Sequence, residues 1–170
     1  MLTLHTKIAS AADLYGRLVL PYDQREKCRL RARLESGEEV AIFTARGTVL
    51  RGGDLLTGAD ARVVEVVAAL EPTYAVRCTS ALVLARCAFH LGNRHTQVQI
   101  GAAMLTIRAD PVLREMVKGL GASVEEQAAA FEPEQGAYAG AGHRHEDGGH
   151  LLAPVPARQK IHRPGDQAGT

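Results

Sequence analysis

The hydrophobic period of the chain changes at Pro72, and this change constrains the fold more than any other feature of the sequence. Before Pro72, apolar residues alternate with polar ones, as they do in half-buried strands. After it, the pattern shifts toward the spacing of one face of a helix. The sequence therefore predicts a domain boundary near residues 71–73, with a small all-β domain over residues 1–71.

The all-β domain is predicted to consist of short strands joined by tight turns. Residues 27–34 alternate polar and apolar side chains and residues 40–43 form an apolar run, so together they predict a β-hairpin. A further short strand is expected just before the double glycine Gly52-Gly53, which permits a tight bend with positive φ. Short strands are predicted to continue to residues 63–70.

The second domain is predicted to combine two helices with four strands. Thr79 or Ser80 is expected to cap a first helix that ends at a glycine cap, Gly92-Asn93. Asp110 is expected to cap a second helix, because proline follows it at the first helical position. The order strand, helix, strand, strand, helix, strand (βαββαβ) is that of a ferredoxin-like α+β domain. Three of its strands are predicted at residues 98–100, 104–107 and 123–131, and the domain at residues 72–138.

Residues 139–170 are predicted to form a flexible, disordered tail. Glycine, alanine, proline, histidine and charged residues dominate this part of the chain, and no apolar period is present to offset the loss of chain entropy on folding. A His-bearing stretch is a compositional signal for metal binding, and the alternative is that its side chains are only solvated. The candidate ligands of the tail are His143, His145 and His150.

The overall composition argues against several classes of function. Twenty Lys and Arg residues stand against nineteen Asp and Glu residues, and aromatic residues make up only 4% of the chain, so no nucleic-acid surface is expected. The apolar stretches are shorter than the roughly 20 residues that span a membrane. The N-terminus lacks the pattern of a signal peptide. We expect a cytoplasmic protein that binds neither nucleic acid nor membranes.

Cysteine spacing and local signatures argue against catalysis. The three cysteines, Cys28, Cys78 and Cys87, are odd in number and form no CxxC pair, so we expect reduced thiols. The signatures of serine hydrolases, zinc peptidases and P-loop proteins are missing from the sequence. The sequence therefore predicts a protein that is not an enzyme.

Two histidines occur near the C-terminal end of the first predicted helix. His90 is on that helix and His95 follows it, where the carbonyl end of the helix dipole favours a cation. Imidazole nitrogens are ordinary ligands of nickel, copper and zinc. One histidine makes a poor metal site, and the simpler interpretation is a pair of ordinary helix-end histidines. A homodimer would change this, because a two-fold axis near His95 doubles the number of imidazoles.

The block from His90 to His95, with the sequence HLGNRH, resembles the UreE family of urease accessory proteins. The resemblance runs from about residue 20 into the tail. It implies a nickel metallochaperone that forms a homodimer through its ferredoxin-like domain, with an N-terminal all-β domain like the peptide-binding modules of chaperones. The other segments that carry the resemblance are Arg46-Gly47, Leu50 to Asp54, Asp110 with Val112-Leu113, and Phe131 to Glu134 with Gly136 to Tyr138.

The resemblance also implies site residues and partners. His95 matches the family's central nickel ligand, which both subunits donate at the dimer axis, and His143 and His145 match its variable His-bearing C-terminus. His90 and His150 complete our set of candidate ligands. The implied partners are the urease accessory GTPase and the urease apoprotein.

Two other functions stay open beside nickel delivery. A general store or buffer for divalent metals, zinc and copper included, would use the same histidines, whereas a protein-binding adaptor would use none of them. The chain also departs from some family members at residues 108–111, where a histidine pair is missing. We therefore expect no accessory metal site at that point.

Overall fold

In the computed structural model, which describes residues 1–135, the first half of the chain forms two β-sheets. The predictions for the tail, including those for His143, His145 and His150, lie outside the described residues. The elements of the first half are β1 (Leu2–Leu4), β2 (Thr6–Ile8), β3 (Gly16–Leu20), α1 (Tyr22–Arg25), β4 (Arg29–Arg33), β5 (Glu39–Phe43), β6 (Leu55–Thr57) and β7 (Val63–Ala68).

The two sheets of the first half share one apolar core. Their strand orders are β1-β5-β4 and β2-β6-β7-β3, with β1 parallel to β5 and β3 parallel to β7. Alternate side chains from both sheets are buried together, among them Ile42 on β5 and Val64 on β7. Alternation therefore buries one face of each sheet, as the sequence predicts for an all-β unit.

The predicted hairpin is confirmed, since β4 and β5 pair antiparallel. The prediction of a strand before the double glycine is wrong, because no strand lies between β5 and β6. The backbone N–H of Leu50 donates to the carbonyl of Arg25 at 2.9 Å, and the carbonyl of Leu50 accepts from the Arg25 guanidinium at 3.2 Å. These groups are therefore not available to a neighbouring strand. The bend itself is as predicted, with Gly53 at a φ of 87°.

The second half has the predicted ferredoxin-like order, and the α+β fold class is confirmed. Its strands are antiparallel neighbours in the order β11-β8-β10-β9. Cys87 and Leu91 from the first helix and Val117 from the second are buried in the core with the sheet. The elements are β8 (Leu70–Arg77), α2 (Ala81–Asn93), β9 (Gln99–Ile100), β10 (Met104–Arg108), α3 (Pro111–Gly119) and β11 (Ser123–Ala130).

Both helices of this half begin at predicted caps. The side chains of Ser80 and Asp110 accept hydrogen bonds from backbone N–H groups in the first turns of α2 and α3, at 2.8 to 3.2 Å. Pro111 occupies the first position of α3, where it loses no hydrogen bond. Within residues 1–135, no helix has the length and apolar character needed to cross a membrane.

Pro72 lies within β8 rather than between two elements. Its carbonyl accepts a hydrogen bond from the N–H of Ala109, just after β10, at 3.0 Å. The missing N–H of the proline therefore falls at the end of that ladder, where it costs no hydrogen bond inside the sheet. One continuous strand runs through residues 71–73, and the change of hydrophobic period precedes the two longer helices, α2 and α3.

A group of charged side chains joins the two halves of the chain. Arg25 at the end of α1 is fully buried, and its Nη1 lies 2.8 Å from Oε1 of Glu132, just after β11. Nη1 of Arg51 lies 2.8 Å from the other carboxylate oxygen of Glu132. The remaining donors of the buried guanidinium reach carbonyls of Leu20 and Phe131. We call Arg25, Arg51 and Glu132 the clamp; no signal in the sequence predicted it.

The clamp holds Glu132 in its charged form. Burial raises the pKa of Glu132, but hydrogen bonds from Arg51 and from the N–H of Gly52, with the charge of Arg25, outweigh burial. The pKa of Glu132 therefore lies below its usual value. The carboxylate stays ionised at neutral pH and pairs with both arginines.

Candidate metal centre

His95 follows the C-terminal cap of α2 and has a positive φ of 55°. The predicted glycine cap is wrong, because Gly92 lies inside α2 and Arg94 is the cap residue. The N–H of His95 donates to the carbonyl of Gly92 at 2.9 Å, and the N–H of Thr96 donates to the carbonyl of Leu91 at 3.1 Å. These two hydrogen bonds define a Schellman motif, in which glycine commonly occupies the position that His95 holds here.

A histidine in this conformation is costly for the backbone. A positive φ costs a residue with a side chain roughly 1–2 kcal/mol. Among residues 1–135, the other such residue is Ala61. The imidazole of His95 is also exposed, so it is not retained for packing. Strain with an exposed functional group points to a requirement for the imidazole itself.

His95 lies on the wall of a polar groove of about 630 Å³. Arg94, Gln97, Arg108 and Asp110 are also on its walls. The guanidinium of Arg108 donates to Oε1 of Gln97 at 3.0 Å, and the carboxylate of Asp110 accepts the capping hydrogen bonds of α3. The groove is therefore lined by one imidazole, two guanidinium groups and a carboxylate that is bound to backbone N–H groups.

One copy of the described chain does not bring together a complete set of metal ligands. Within residues 1–135, no three His, Cys, Asp or Glu side chains lie close enough to hold a metal ion. Tight binding of a transition metal normally needs more protein ligands than one imidazole. The described part of one chain therefore supplies at most an incomplete ligand set at His95.

His90 is exposed on α2, one turn before its end. Its ring packs edge-on against Phe89, with the two centroids 5.4 Å apart. In the described part of the chain, no hydrogen bond connects His90 with His95. His90 therefore lies near the same end of α2 as His95, but no contact in the described residues links the two side chains.

The outward face of α2 is apolar and has no packing partner among residues 1–135. Leu82 is 69% exposed and Phe89 is 64% exposed, and the exposed Ala85 lies between them at helical spacing. The opposite face is buried through Cys87 and Leu91. An apolar stripe of this kind, ending close to His95, is typical of a helix that packs against another protein surface.

The last described residues are hydrogen-bonded to the segment that follows α2. After β11, the N–H of Glu132 donates to Oε1 of Gln99 at 2.9 Å, and the N–H of Glu134 donates to the carbonyl of Val98 at 2.9 Å. Val98 is three residues after His95 in the chain. This placement was not predictable from the sequence, because neither hydrogen bond follows from a local pattern.

Cys87 is not suited to act as a metal ligand or nucleophile. Burial, with the neighbouring Cys78, raises the pKa of the Cys87 thiol to about 11. It therefore stays protonated at neutral pH, whereas ligands and nucleophiles are thiolates. Cys28, Cys78 and Cys87 are all free in the structure, as the sequence predicts.

Two family models match the two halves of the chain. The model described as the N-terminal domain of the UreE urease accessory protein matches residues 3–69. The model described as the C-terminal domain of the same protein matches residues 71–161. Together they cover most of the chain, and they meet at the start of β8.

Relatives named "Urease accessory protein UreE" are similar over nearly the whole chain. The protein of Janthinobacterium sp. (strain Marseille) is 63% identical over 169 residues, which are 99% of this chain and 99% of the relative. The protein of Nitrosospira multiformis is 58% identical over 98% of both chains. The protein of Burkholderia pseudomallei (strain 1710b) is 51% identical over 85% of this chain and 74% of its own length. The similarity thus includes the segment that carries His95.

Proposed function

The chain belongs to the UreE family of urease accessory proteins, and on this basis we propose that it is a metallochaperone that binds nickel and delivers it for assembly of the urease active site. The observation that carries the proposal is the exposed His95 at a strained position that the backbone would give to glycine. The protein acts by binding and release in the cytoplasm, not by catalysis.

The functional unit in this proposal is a homodimer formed through the second half of the chain. Packing the apolar face of α2 against its copy removes Leu82 and Phe89 from water, and fully burying one such side chain contributes about 1.5–3 kcal/mol. A two-fold axis near the end of α2 brings two His95 imidazoles to one metal ion. The incomplete ligand set of a single chain supports this arrangement.

Histidines of the tail supply further ligands in this proposal. His143 is nine positions after Glu134, which is hydrogen-bonded to Val98. Each residue can extend a chain by at most about 3.3–3.6 Å, so nine positions can reach up to about 30 Å and the proposal needs no more than this to bring His143 to His95. Such tethering gives the imidazoles an effective concentration in the millimolar range. His90 and His150 are the remaining candidate ligands.

The same arrangement explains how nickel can be passed on. Nickel prefers more ligands than two imidazoles provide, so positions on the metal stay open to the tail and to an incoming protein. Each tail ligand can dissociate singly, which lets an acceptor replace them in steps. The acceptors we propose are the urease accessory GTPase and the urease apoprotein.

Calorimetric titration of the full chain with nickel tests the proposal. We expect one tight nickel ion per dimer, and the tight site is lost in His95→Ala while the dimer persists by light scattering. His5→Ala is the matched control, because His5 is also exposed but lies between β1 and β2. Unchanged nickel affinity in His95→Ala would show that His95 is not the central ligand.

Nickel-dependent activation of urease apoprotein separates delivery from the two alternatives. A delivery protein activates urease at limiting nickel, and His95→Ala removes that effect. A storage protein binds nickel without activating urease, and an adaptor activates urease equally well without His95. Zinc and copper titrated in parallel show whether these metals occupy the same site, since copper is expected to bind more tightly than nickel.

A further inference from the structure

Strand β4 forms a free edge of the first sheet and carries three arginines in alternation. Arg29, Arg31 and Arg33 are exposed, while the side chains between them pack toward the core. Arg33 pairs with Glu39. Among residues 1–135, neither Arg29 nor Arg31 has an acidic partner within ion-pair distance.

The backbone of β4 also has hydrogen-bonding groups that its sheet leaves unpaired. At one end the carbonyl of Cys28 accepts from the N–H of Thr44, and at the other the N–H of Leu34 donates to the carbonyl of Glu38, both at 2.9 Å. In an antiparallel pair, residues that face the partner strand alternate with residues that face away. The N–H and carbonyl groups of Arg29 and Arg31 therefore point toward the free edge.

An apolar surface lies next to these two arginines. Phe43 is opposite Arg29 in the pairing of β5 with β4 and is 46% exposed. With Met1 it lines a shallow groove of about 310 Å³ that also includes Arg29 and Arg31. We call the free backbone of β4 with Arg29, Arg31 and Phe43 the β4 edge.

We propose that the β4 edge binds an extended acidic segment of another protein, which adds to the sheet as a further strand. Alternate residues of a strand lie about 6.8 Å apart, so carboxylates at alternate positions of the incoming strand match the spacing of Arg29 and Arg31. Backbone hydrogen bonds give such binding its strength, and side chains on the exposed face give it specificity.

The charge of the β4 edge favours an acidic peptide over a second copy of the chain or a nucleic acid. A second copy paired through β4 would place arginines opposite arginines, and like charges opposite one another destabilise a sheet. A nucleic acid would require a more basic protein than one with a net charge of +1. The β4 edge includes no ligand of the proposed nickel site, so its test does not depend on nickel binding.

Fluorescence anisotropy with two labelled peptides tests the proposal on the full chain. One peptide alternates Glu with Val, and the other has the same residues grouped into a Glu block and a Val block. We expect the alternating peptide to bind more tightly, and Arg29→Gln/Arg31→Gln to weaken it by about tenfold or more. The matched control is Arg17→Gln/Arg77→Gln, which neutralises two exposed arginines on other strands.

Hydrogen exchange distinguishes strand addition from simple charge attraction. Strand addition protects the backbone amides of Arg29 and Arg31 when the alternating peptide binds. Absence of binding, equal affinity for both peptides, equal losses in the control variant or no amide protection would each overturn the proposal. Self-association of the chain that is abolished by Phe43→Ser would identify a second copy as the occupant and would also overturn it.

Discussion

The polar side chain of Arg25 is buried and fully paired at the clamp, whereas at the C-terminal end of α2 the polar side chain of His95 is exposed. At the clamp, a fully buried guanidinium has a partner for each of its nitrogens, and its carboxylate partner is shared with a second arginine. At the end of α2, the backbone of His95 is strained and its imidazole is exposed. The chain thus stabilises the junction of its halves and gives up stability at the residue that we propose binds the metal.

Removing the buried charge of the clamp is expected to have the largest effect. Arg25→Met leaves Glu132 short of one partner and leaves buried carbonyls unpaired, so we expect a loss of about 3–5 kcal/mol in the free energy of unfolding. Urea denaturation measures it. Arg51→Met is the control, with a smaller loss, because its side chain is 24% exposed and Glu132 keeps Arg25. Equal losses would contradict the central place of Arg25.

Shortening the apolar face of α2 is expected to act on assembly and not on the monomer. Phe89→Ser removes an exposed side chain, so the free energy of unfolding of the monomer should change by no more than about 0.5 kcal/mol. The dissociation constant of the dimer should rise by about 10- to 100-fold, which analytical ultracentrifugation detects. Val112→Ser on α3 is the matched control, because Val112 is also 64% exposed. A dimer weakened equally by both variants would contradict the α2 interface.

The clamp should also make stability depend on pH. Because the pKa of Glu132 is lower in the folded chain, its contribution is fully present above the ordinary pKa of about 4.3 and is lost as pH falls through the folded pKa. Glu132→Gln should therefore cost about 1–2 kcal/mol at neutral pH and progressively less in acid. Denaturation curves from neutral pH to acid measure the difference. A difference that is constant with pH would mean that the charge of Glu132 contributes nothing.

Relieving the strain at His95 is expected to have the smallest effect, and it has the opposite sign. His95→Gly should raise the free energy of unfolding by about 1 kcal/mol without metal, since glycine adopts positive φ freely. His95→Ala should give no such gain, because alanine keeps the strain. Ala61→Gly, at the other positive-φ residue, should give a similar gain while nickel binding stays intact. Thermal unfolding with and without nickel separates the two effects.

The sequence was sufficient where structure depends on neighbouring residues. The caps of α2 and α3 at Ser80 and Asp110, the β4–β5 hairpin and the order of the second half all follow from short patterns. Each pattern places its own hydrogen-bonding groups within a few residues. The fold class was therefore predictable.

Sequence was insufficient where residues far apart in the chain meet. An arginine is normally exposed, and Arg25 is buried because the nearby carbonyl of Leu20 and groups from two distant segments, at Leu50 and Glu132, converge on it. Because the backbone groups of Leu50 are bonded to Arg25, they do not form the strand that was predicted before Gly52. The sequence predicts the left-handed conformation that ends α2 at Gly92, because glycine favours a positive φ. In the structure the helix continues past Gly92, and His95 adopts the positive φ. A local propensity failed there at the residue proposed to bind the metal.

The pair between Arg25 and Glu132 joins residues that are 107 positions apart. During synthesis, the N-terminal sheets therefore leave the ribosome before the carboxylate that completes the clamp has been made. The segment from Phe131 to Glu134 carries this last contact, and the histidine tail is translated directly after it. Every chain long enough to carry the tail histidines therefore also carries Glu132. A chain that stalls or is cleaved before Glu132 therefore lacks both the carboxylate that completes the clamp and the histidine tail.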